Sequence, residues 1–209
     1  MSLKFALLAL LTGSPMTGYE IGKSFDASVG HVWNAPGSQI YPELRRLANA
    51  GLLNVEEVPE GRRKKIYSVT AAGRESLREW MNSPSTPEPT RENHFLKAAY
   101  LDWADPEAAQ AQLQLWLAAF TQRLHIVEAV RDSLLNGTHP ILRERLRTLP
   151  TDQHEAATAF KVFAFEGMAE EARQKIAWAE RGLELLARLE RTPARPADAP
   201  ATQTARVTT

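Results

Sequence analysis

The 209-residue chain contains no cysteine. Disulfide staples, thiolate nucleophiles and cysteine-bound metals are therefore excluded, and the absence fits a reducing cytoplasm. Net charge is also missing: 25 basic residues balance 25 acidic ones. A whole-protein attraction to nucleic acid is excluded, so any such binding must come from a local patch. No apolar run approaches the roughly 20 residues of a membrane-spanning helix. The apolar start, residues 1–12, is short, carries Lys4, lacks a small-residue cleavage site and runs into Gly13-Ser14-Pro15. It reads as a core helix and not as a signal peptide. His31, His94, His125, His139 and His154 are scattered without metal-ligand spacing. No phosphate-cradling glycine loop, nucleophile elbow or paired-carboxylate motif is present. These absences point away from catalysis, and no metal or cofactor is expected. What remains is an ordinary apolar content of 44%, enough for a real core in one large domain or two small ones.

The stretch 38–52 carries the most information. Ile40, Leu44 and Leu47 recur at i, i+4 and i+7 and make one apolar stripe. Gly51 ends the helix. Ser38, Pro42, Arg45 and Asn49 fall on the opposite face, flanked by Tyr41 and Arg46. Read alone, this is an ordinary amphipathic surface helix before it is a helix shaped for a DNA major groove. The surroundings decide between them. Before it come a helix over 3–11, a break at Gly13-Ser14-Pro15, and Thr17-Gly18-Tyr19-Glu20, which has the capping-box form and starts a second helix. Tyr19, Ile21 and Phe25 are its candidate buried or contact residues, and it should end within 27–30. A loop over 33–37 follows, with Ser38 as N-cap of the third helix and Pro42 in its first turn.

After it, 53–58 and 65–70 are short and rich in Val, Ile, Tyr and Thr, and the segment between holds Pro59 and Gly61. This predicts a β-hairpin. Arg62, Arg63, Lys64 and Lys65 stand at its tip and return strand, where a basic run suits phosphate contacts. Thr70 caps a fourth helix over 71–81, with Leu77, Trp80 and Met81 facing inward. The three prolines of 83–90 mark a linker. Residues 1–90 hold ten basic and nine acidic residues. The local charge is therefore confined to Arg45, Arg46 and 62–65, which counts against a non-specific DNA coater.

The second half reads as helical throughout. A helix is expected over 94–103. Another starts at Asp105-Pro106-Glu107 and runs to Leu135, striped by Leu113, Leu117, Phe120, Leu124, Val127 and Leu134. A short helix over 141–149 precedes a last helix over 153–190, about 55 Å long at ~1.5 Å per residue. Its wide stripe of Phe160, Phe163, Ala164, Gly167, Met168, Ile176, Ala179, Leu183, Leu186 and Leu189 suits packing against a second chain, the alternative being a monomeric bundle. Trp103, Trp116, Phe120 and Phe163 are candidate ligand-pocket residues, although aromatics at helical spacing also serve as core. Residues 192–209, rich in Pro, Ala and Thr, are expected to be disordered.

The chain resembles the PadR family of bacterial transcriptional regulators. The resemblance rests on Met16-Thr17-Gly18-Tyr19-Glu20-Ile21, on Ser38-Gln39-Ile40-Tyr41-Pro42-Glu43-Leu44-Arg45-Arg46-Leu47, on Gly51-Leu52-Leu53, on Gly61 through Thr70, and on Gly73 and Trp80. It covers most of 1–82 and extends to the second half in layout only. It implies a mainly α fold with a small β-hairpin: a winged helix-turn-helix over 1–82, a linker over 83–90, a helical dimerisation and effector domain over 91–191, and a tail over 192–209. It further implies a cytoplasmic homodimer, associated with the nucleoid when bound, that represses from an inverted-repeat operator on double-stranded DNA. A small aromatic effector is its candidate release signal. The contacts implied are Ser38, Gln39, Tyr41, Pro42 and Arg45 on the third helix and Arg63, Lys64 and Lys65 in the wing. Tyr19 and Lys23 join them from the second helix. Gln39 and Arg45 suit base edges, and Tyr41 and Pro42 suit thymine methyls. Arg46, Arg63, Lys64, Lys65 and Tyr19 suit phosphates. For Tyr41 the alternative is a buried core tyrosine, and for Arg46 a salt bridge to Glu43 or Glu20. A winged-helix protein-interaction adaptor is the alternative function.

Overall fold

The computed structural model describes residues 3–27, 37–58, 64–86 and 92–191. The expected loop over 33–37 (save Gly37), the end of the second helix beyond 27, the wing tip with Arg62 and Arg63, the second half of the 83–90 linker, and the tail lie outside the described residues.

The element order is α1 (Leu3–Leu11), β1 (Met16–Thr17), α2 (Gly18–Ala27), α3 (Gly37–Asn49), β2 (Leu53–Val58), β3 (Lys64–Val69), α4 (Ala71–Asn82), α5 (Asn93–Ala98), α6 (Pro106–Leu135), α7 (Pro140–Thr148) and α8 (His154–Glu190). Short 3₁₀ turns occupy Leu101–Trp103 and Thr151–Gln153. The fold is mainly helical with a small antiparallel sheet, as expected. None of the described helices is long and apolar enough to cross a membrane.

Local chemistry sets the boundaries. The Thr17 backbone N–H donates to Glu20 Oε2 at 2.8 Å, and the Glu20 N–H returns a bond to Thr17 Oγ1 at 3.2 Å. This reciprocal cap satisfies donors that the first turn of α2 would otherwise leave unpaired. Gly51 takes φ +69°, the left-handed conformation that glycine adopts without a Cβ clash. Bonds from Gly51 N to Ala48 O and from Leu52 N to Leu47 O close α3 in the paired pattern of a glycine stop. The Thr70 hydroxyl accepts from Gly73 N and donates to Gly51 O, so one side chain starts α4 and ties it to the end of α3.

Four expectations need correcting. The sheet has three strands, ordered β1-β3-β2, because Met16 and Thr17 pair antiparallel with Tyr67 and Ile66. The helix expected over 94–103 stops at Ala98, and the chain tightens into the 3₁₀ turn instead. Helix α3 already includes Gly37, so Ser38 lies in its first turn and is not the cap. Pro42 then stands inside the helix, where its missing N–H leaves the Ser38 carbonyl without its helical donor. Met81 is not inward: it is 68% exposed, whereas Trp80 stacks on Phe5 with ring centroids 4.7 Å apart. The stripe expected on α8 is divided. The residues it buries within the chain are Val162, Phe165, Ala169, Ala172 and Ala179, while Phe160, Phe163, Ala164 and Gly167 stay exposed.

By packing, the chain divides into two compact units: Met1–Thr90 with Leu124–Glu170, and Arg91–Arg123 with Glu171–Thr209. In the first, Leu7, Leu8, Ile21, Phe25, Ile40, Leu44 and Leu47 form a core from which water is excluded, roofed by Leu53, Tyr67 and Val69 of the sheet. Each such side chain contributes about 1.5–3 kcal/mol on burial. A second cluster joins Val127 and Leu134 of α6 to Leu142 of α7 and Val162, Phe165 and Ala169 of α8. In the second unit, α6 and α8 approach so closely that a Cβ on Gly182 would lie 2.7 Å from Leu113 Cδ2.

Candidate nucleic-acid interface

The stripe on α3 is buried as its spacing predicts. Ile40, Leu44 and Leu47 are at most 2% exposed, which turns Ser38, Gln39, Tyr41, Pro42, Arg45 and Arg46 outward. A cleft of about 710 Å³ brings six of the sequence-predicted residues together: Tyr19 and Lys23 from α2, Tyr41 and Arg45 from α3, and Lys64 and Lys65 from β3. Ser38, Gln39, Pro42 and Arg46 lie on α3 outside that cleft. Arg63 falls outside the described residues.

Tyr41 is 48% exposed and Tyr19 75% exposed, so neither ring is a core tyrosine. The position of Tyr41 is set by Gly18. A Cβ built at Gly18 would come within 2.7 Å of Tyr41 Cε1, a distance that real Cβ atoms do not adopt. The bare backbone at the start of α2 is therefore what allows the α3 tyrosine to lie against it. Neither Gly18 nor the buried Tyr67, which also lines the cleft, stands out as a site residue in the sequence. A glycine directly after a capping threonine was the available signal.

Charge in the cleft is net positive. Its one carboxylate, Glu20, is engaged by the Thr17 backbone and hydroxyl, which hold its pKa below the ordinary value, and Lys64 adds to that depression. Lys65 Nζ lies 3.2 Å from Glu57 Oε1 across the β2–β3 pair, both groups half-exposed. Such a pair is weak and readily exchanged for a stronger acceptor. Arg46 is held more firmly. Its Nε and Nη2 donate to the two carboxylate oxygens of Glu43 at 2.8 and 2.6 Å. That fork lowers the Glu43 pKa and raises that of Arg46.

The four candidate ligand-pocket aromatics have different settings. Trp116 and Phe120 belong to a packed cluster in the second unit, where Phe95, Trp116, Phe120 and Trp178 surround His94 with ring centroids at 4.4, 6.2, 5.5 and 5.6 Å. Trp103 stands 87% exposed on the 3₁₀ turn of that unit. Phe163 belongs to the first unit and is 71% exposed on α8.

Residues 7–79 match the transcriptional regulator PadR-like family. The negative transcriptional regulator PadR of Bacillus subtilis is 28% identical over 142 residues, spanning 66% of this chain and 78% of that protein. The solved structure of Bacillus subtilis PadR in complex with operator DNA has a TM-score of 0.66 at 24% identity, covering 88% of this chain and 98% of that one. The structure of the same protein in complex with p-coumaric acid has a TM-score of 0.63 at 23% identity, covering 88% and 95%. At these identities the solved structures establish the fold, a winged helix followed by long helices. Residues 7–79, which carry the exposed face of α3 and the base of the wing, are a domain of the transcriptional regulator PadR-like family.

Proposed function

We propose that this chain is a cytoplasmic homodimeric repressor that holds an inverted-repeat operator and is released by a small aromatic effector. The observation that carries the DNA part is the joining of Tyr19, Lys23, Tyr41, Arg45, Lys64 and Lys65 in one cleft, drawn from three elements. Cationic and hydroxyl donors on a ridge-and-wing surface match the spaced phosphates beside a major groove. In this reading α3 enters the groove. Gln39 and Arg45 read base edges, with glutamine suiting adenine and arginine suiting guanine, while Tyr41 and Pro42 lie against thymine methyls. Tyr19, Lys23, Lys64, Lys65 and Arg63 hold phosphates. Arg46 joins them by exchanging Glu43 for a phosphate oxygen, and Ser38 adds a hydroxyl at the helix start. No step of catalysis enters this role.

The dimer is supported by α8, where Phe160 (75% exposed), Phe163, Ala164 and Gly167 form a face the chain itself leaves uncovered. Two-fold pairing would place half-sites about one helical turn apart. The working division is a winged helix over 1–82, a linker over 83–90, a helical region over 91–191 and a tail over 192–209. The effector part is supported by the relative solved with p-coumaric acid, and Trp103, Trp116, Phe120 and Phe163 are its sequence-derived candidates. The deciding experiment is a gel shift with the upstream region of the protein's own gene over a salt series. Specific, salt-dependent retardation supports the reading. Its absence, together with a folded protein, favours the protein-interaction adaptor.

A further inference from the structure

The glycine that opens α2 and the tyrosine of α3 are held against each other from both sides. A Cβ built at Gly18 would lie 2.7 Å from Tyr41 Cε1, 3.5 Å from Cδ1 and 3.6 Å from Cζ, so one edge of the ring rests on the bare Gly18 backbone. That backbone has little freedom to yield. Before it, Met16 and Thr17 are paired with Tyr67 and Ile66 of β3. Around it, the Thr17 N–H and hydroxyl both donate to Glu20 Oε2, at 2.8 and 2.9 Å, and close the first turn of α2. The backbone at Tyr41 is equally fixed, because Ile40 before it and Leu44 after it are buried in the core. The movable part of the pair is the ring itself, which is 48% exposed and lines the cleft with Lys23 and Arg45. Position 18 does not need glycine for its dihedral angles, since among the described glycines only Gly51 and Gly137 take positive φ. In a helix glycine also carries an entropic cost that alanine lacks. Room for the ring is what this residue provides.

We propose that Gly18 is a positioning residue for operator recognition: by leaving space at the start of α2 it holds the Tyr41 ring in one rotamer, and through that ring it sets preference for one base step and not affinity for DNA in general. The inference rests on the DNA-binding reading and deepens it, because it names a residue that acts on sequence choice through another. A methyl group at position 18 would occupy the place of the ring edge. With both backbones fixed, the ring would have to leave for another staggered well. It would then no longer stand where α3 offers it to a thymine methyl. Lys23, Lys64 and Lys65, whose assigned contacts are with phosphates, would keep their places. One methyl group thus separates sequence preference from general attraction to the duplex.

The test is an anisotropy titration of the full-length protein with two labelled duplexes of equal length, one recovered by the parent from a randomised pool and one of scrambled sequence. Gly18→Ala should weaken binding of the selected duplex by at least about fivefold, the lower end of what one misread base pair costs, and leave the scrambled duplex within about twofold. The salt slope should stay that of the parent, since no phosphate contact is lost. Tyr41→Ser should lose the same preference, and adding Gly18→Ala to it should change nothing further, because the new methyl group then meets no ring. Gly22→Ala, on the same helix with nothing within 4 Å of a built Cβ, should bind as the parent does. Denaturant unfolding supplies the readout that separates positioning from a structural role. Gly18→Ala should be as stable as the parent, because the ring can swing into solvent and alanine favours the helix. Lower stability with equal losses on both duplexes makes Gly18 structural and overturns the proposal. A full effect of Gly18→Ala in the Tyr41→Ser protein overturns it too. A pool that yields no enriched sequence overturns the DNA-binding reading, and the proposal with it. Enrichment with an unchanged preference in Gly18→Ala overturns the positioning alone.

Discussion

The winged helix and the long helices are both rich in apolar side chains but dispose of them in opposite ways. In the winged helix Leu7, Leu8, Ile21, Phe25, Leu44 and Leu47 are wholly buried, and the exposed surface is left to Tyr19, Lys23, Arg45 and the wing lysines. In the long helices Phe160 and Phe163 are among the most exposed large side chains. The first region completes its core from its own sequence and leaves its surface polar, the part that the proposed function assigns to DNA. The second keeps an apolar surface, which under the proposed dimer is the half of a core that another copy supplies.

The sharpest way to break this contrast is to truncate one apolar residue of each kind. Leu44→Ala should cost about 2–5 kcal/mol, because the side chain is fully enclosed and leaves a cavity. Phe163→Ala should cost well under half of that in a chain kept monomeric by dilution. Denaturant unfolding followed by circular dichroism measures both, and equal losses would erase the distinction. Next in size is Phe160→Glu with Phe163→Glu. Burying carboxylates at a two-fold interface should raise the dimer dissociation constant by at least about 30-fold, roughly 2 kcal/mol. Sedimentation velocity reads the outcome, and an unchanged dimer would move the interface elsewhere.

Smaller effects belong to the recognition side. Arg45→Ala should cost about 1–3 kcal/mol on the preferred operator and relax preference at one base pair while leaving the fold intact. An anisotropy titration showing unchanged affinity and specificity would remove Arg45 from the readers. Lys64→Ala should weaken all sequences alike and reduce the salt slope by about 0.9 if one phosphate contact is lost. Glu43→Gln should act oppositely on the slope, since it frees the Arg46 fork for phosphate. The same variant carries a pH signature. Glu43 has a depressed carboxylate pKa, chiefly through its hydrogen bonds with Arg46. Its stabilising contribution is complete above the ordinary carboxylate range and is lost as pH falls through the lowered folded value. The glutamine variant should therefore lose less stability on acidification, by an amount kept small because Arg46 is exposed.

The recognition half was largely readable because its signals are local. Thr17 and Glu20 cap α2, Gly51 stops α3, and the i, i+4, i+7 spacing of Ile40, Leu44 and Leu47 fixes which face is buried. Strand β1 was not readable. Two residues carry no period, and only their pairing with Tyr67 and Ile66 makes them a strand. The α8 stripe was legible as a face but not in its division. Apolar spacing shows that a face is sticky, but not whether Val162 or Phe163 meets the chain's own core.

Strand β3 is gripped from both sides, Tyr67 pairing with Met16 on one edge and with Val55 on the other. Inserting one residue within Lys64–Val69 would put Tyr67 on the wrong face and break two ladders at once. Extra residues placed between β2 and β3 would disturb neither ladder. Sequences built on this plan are thus free to change length between the two strands, while the strands themselves tolerate substitution but not length change.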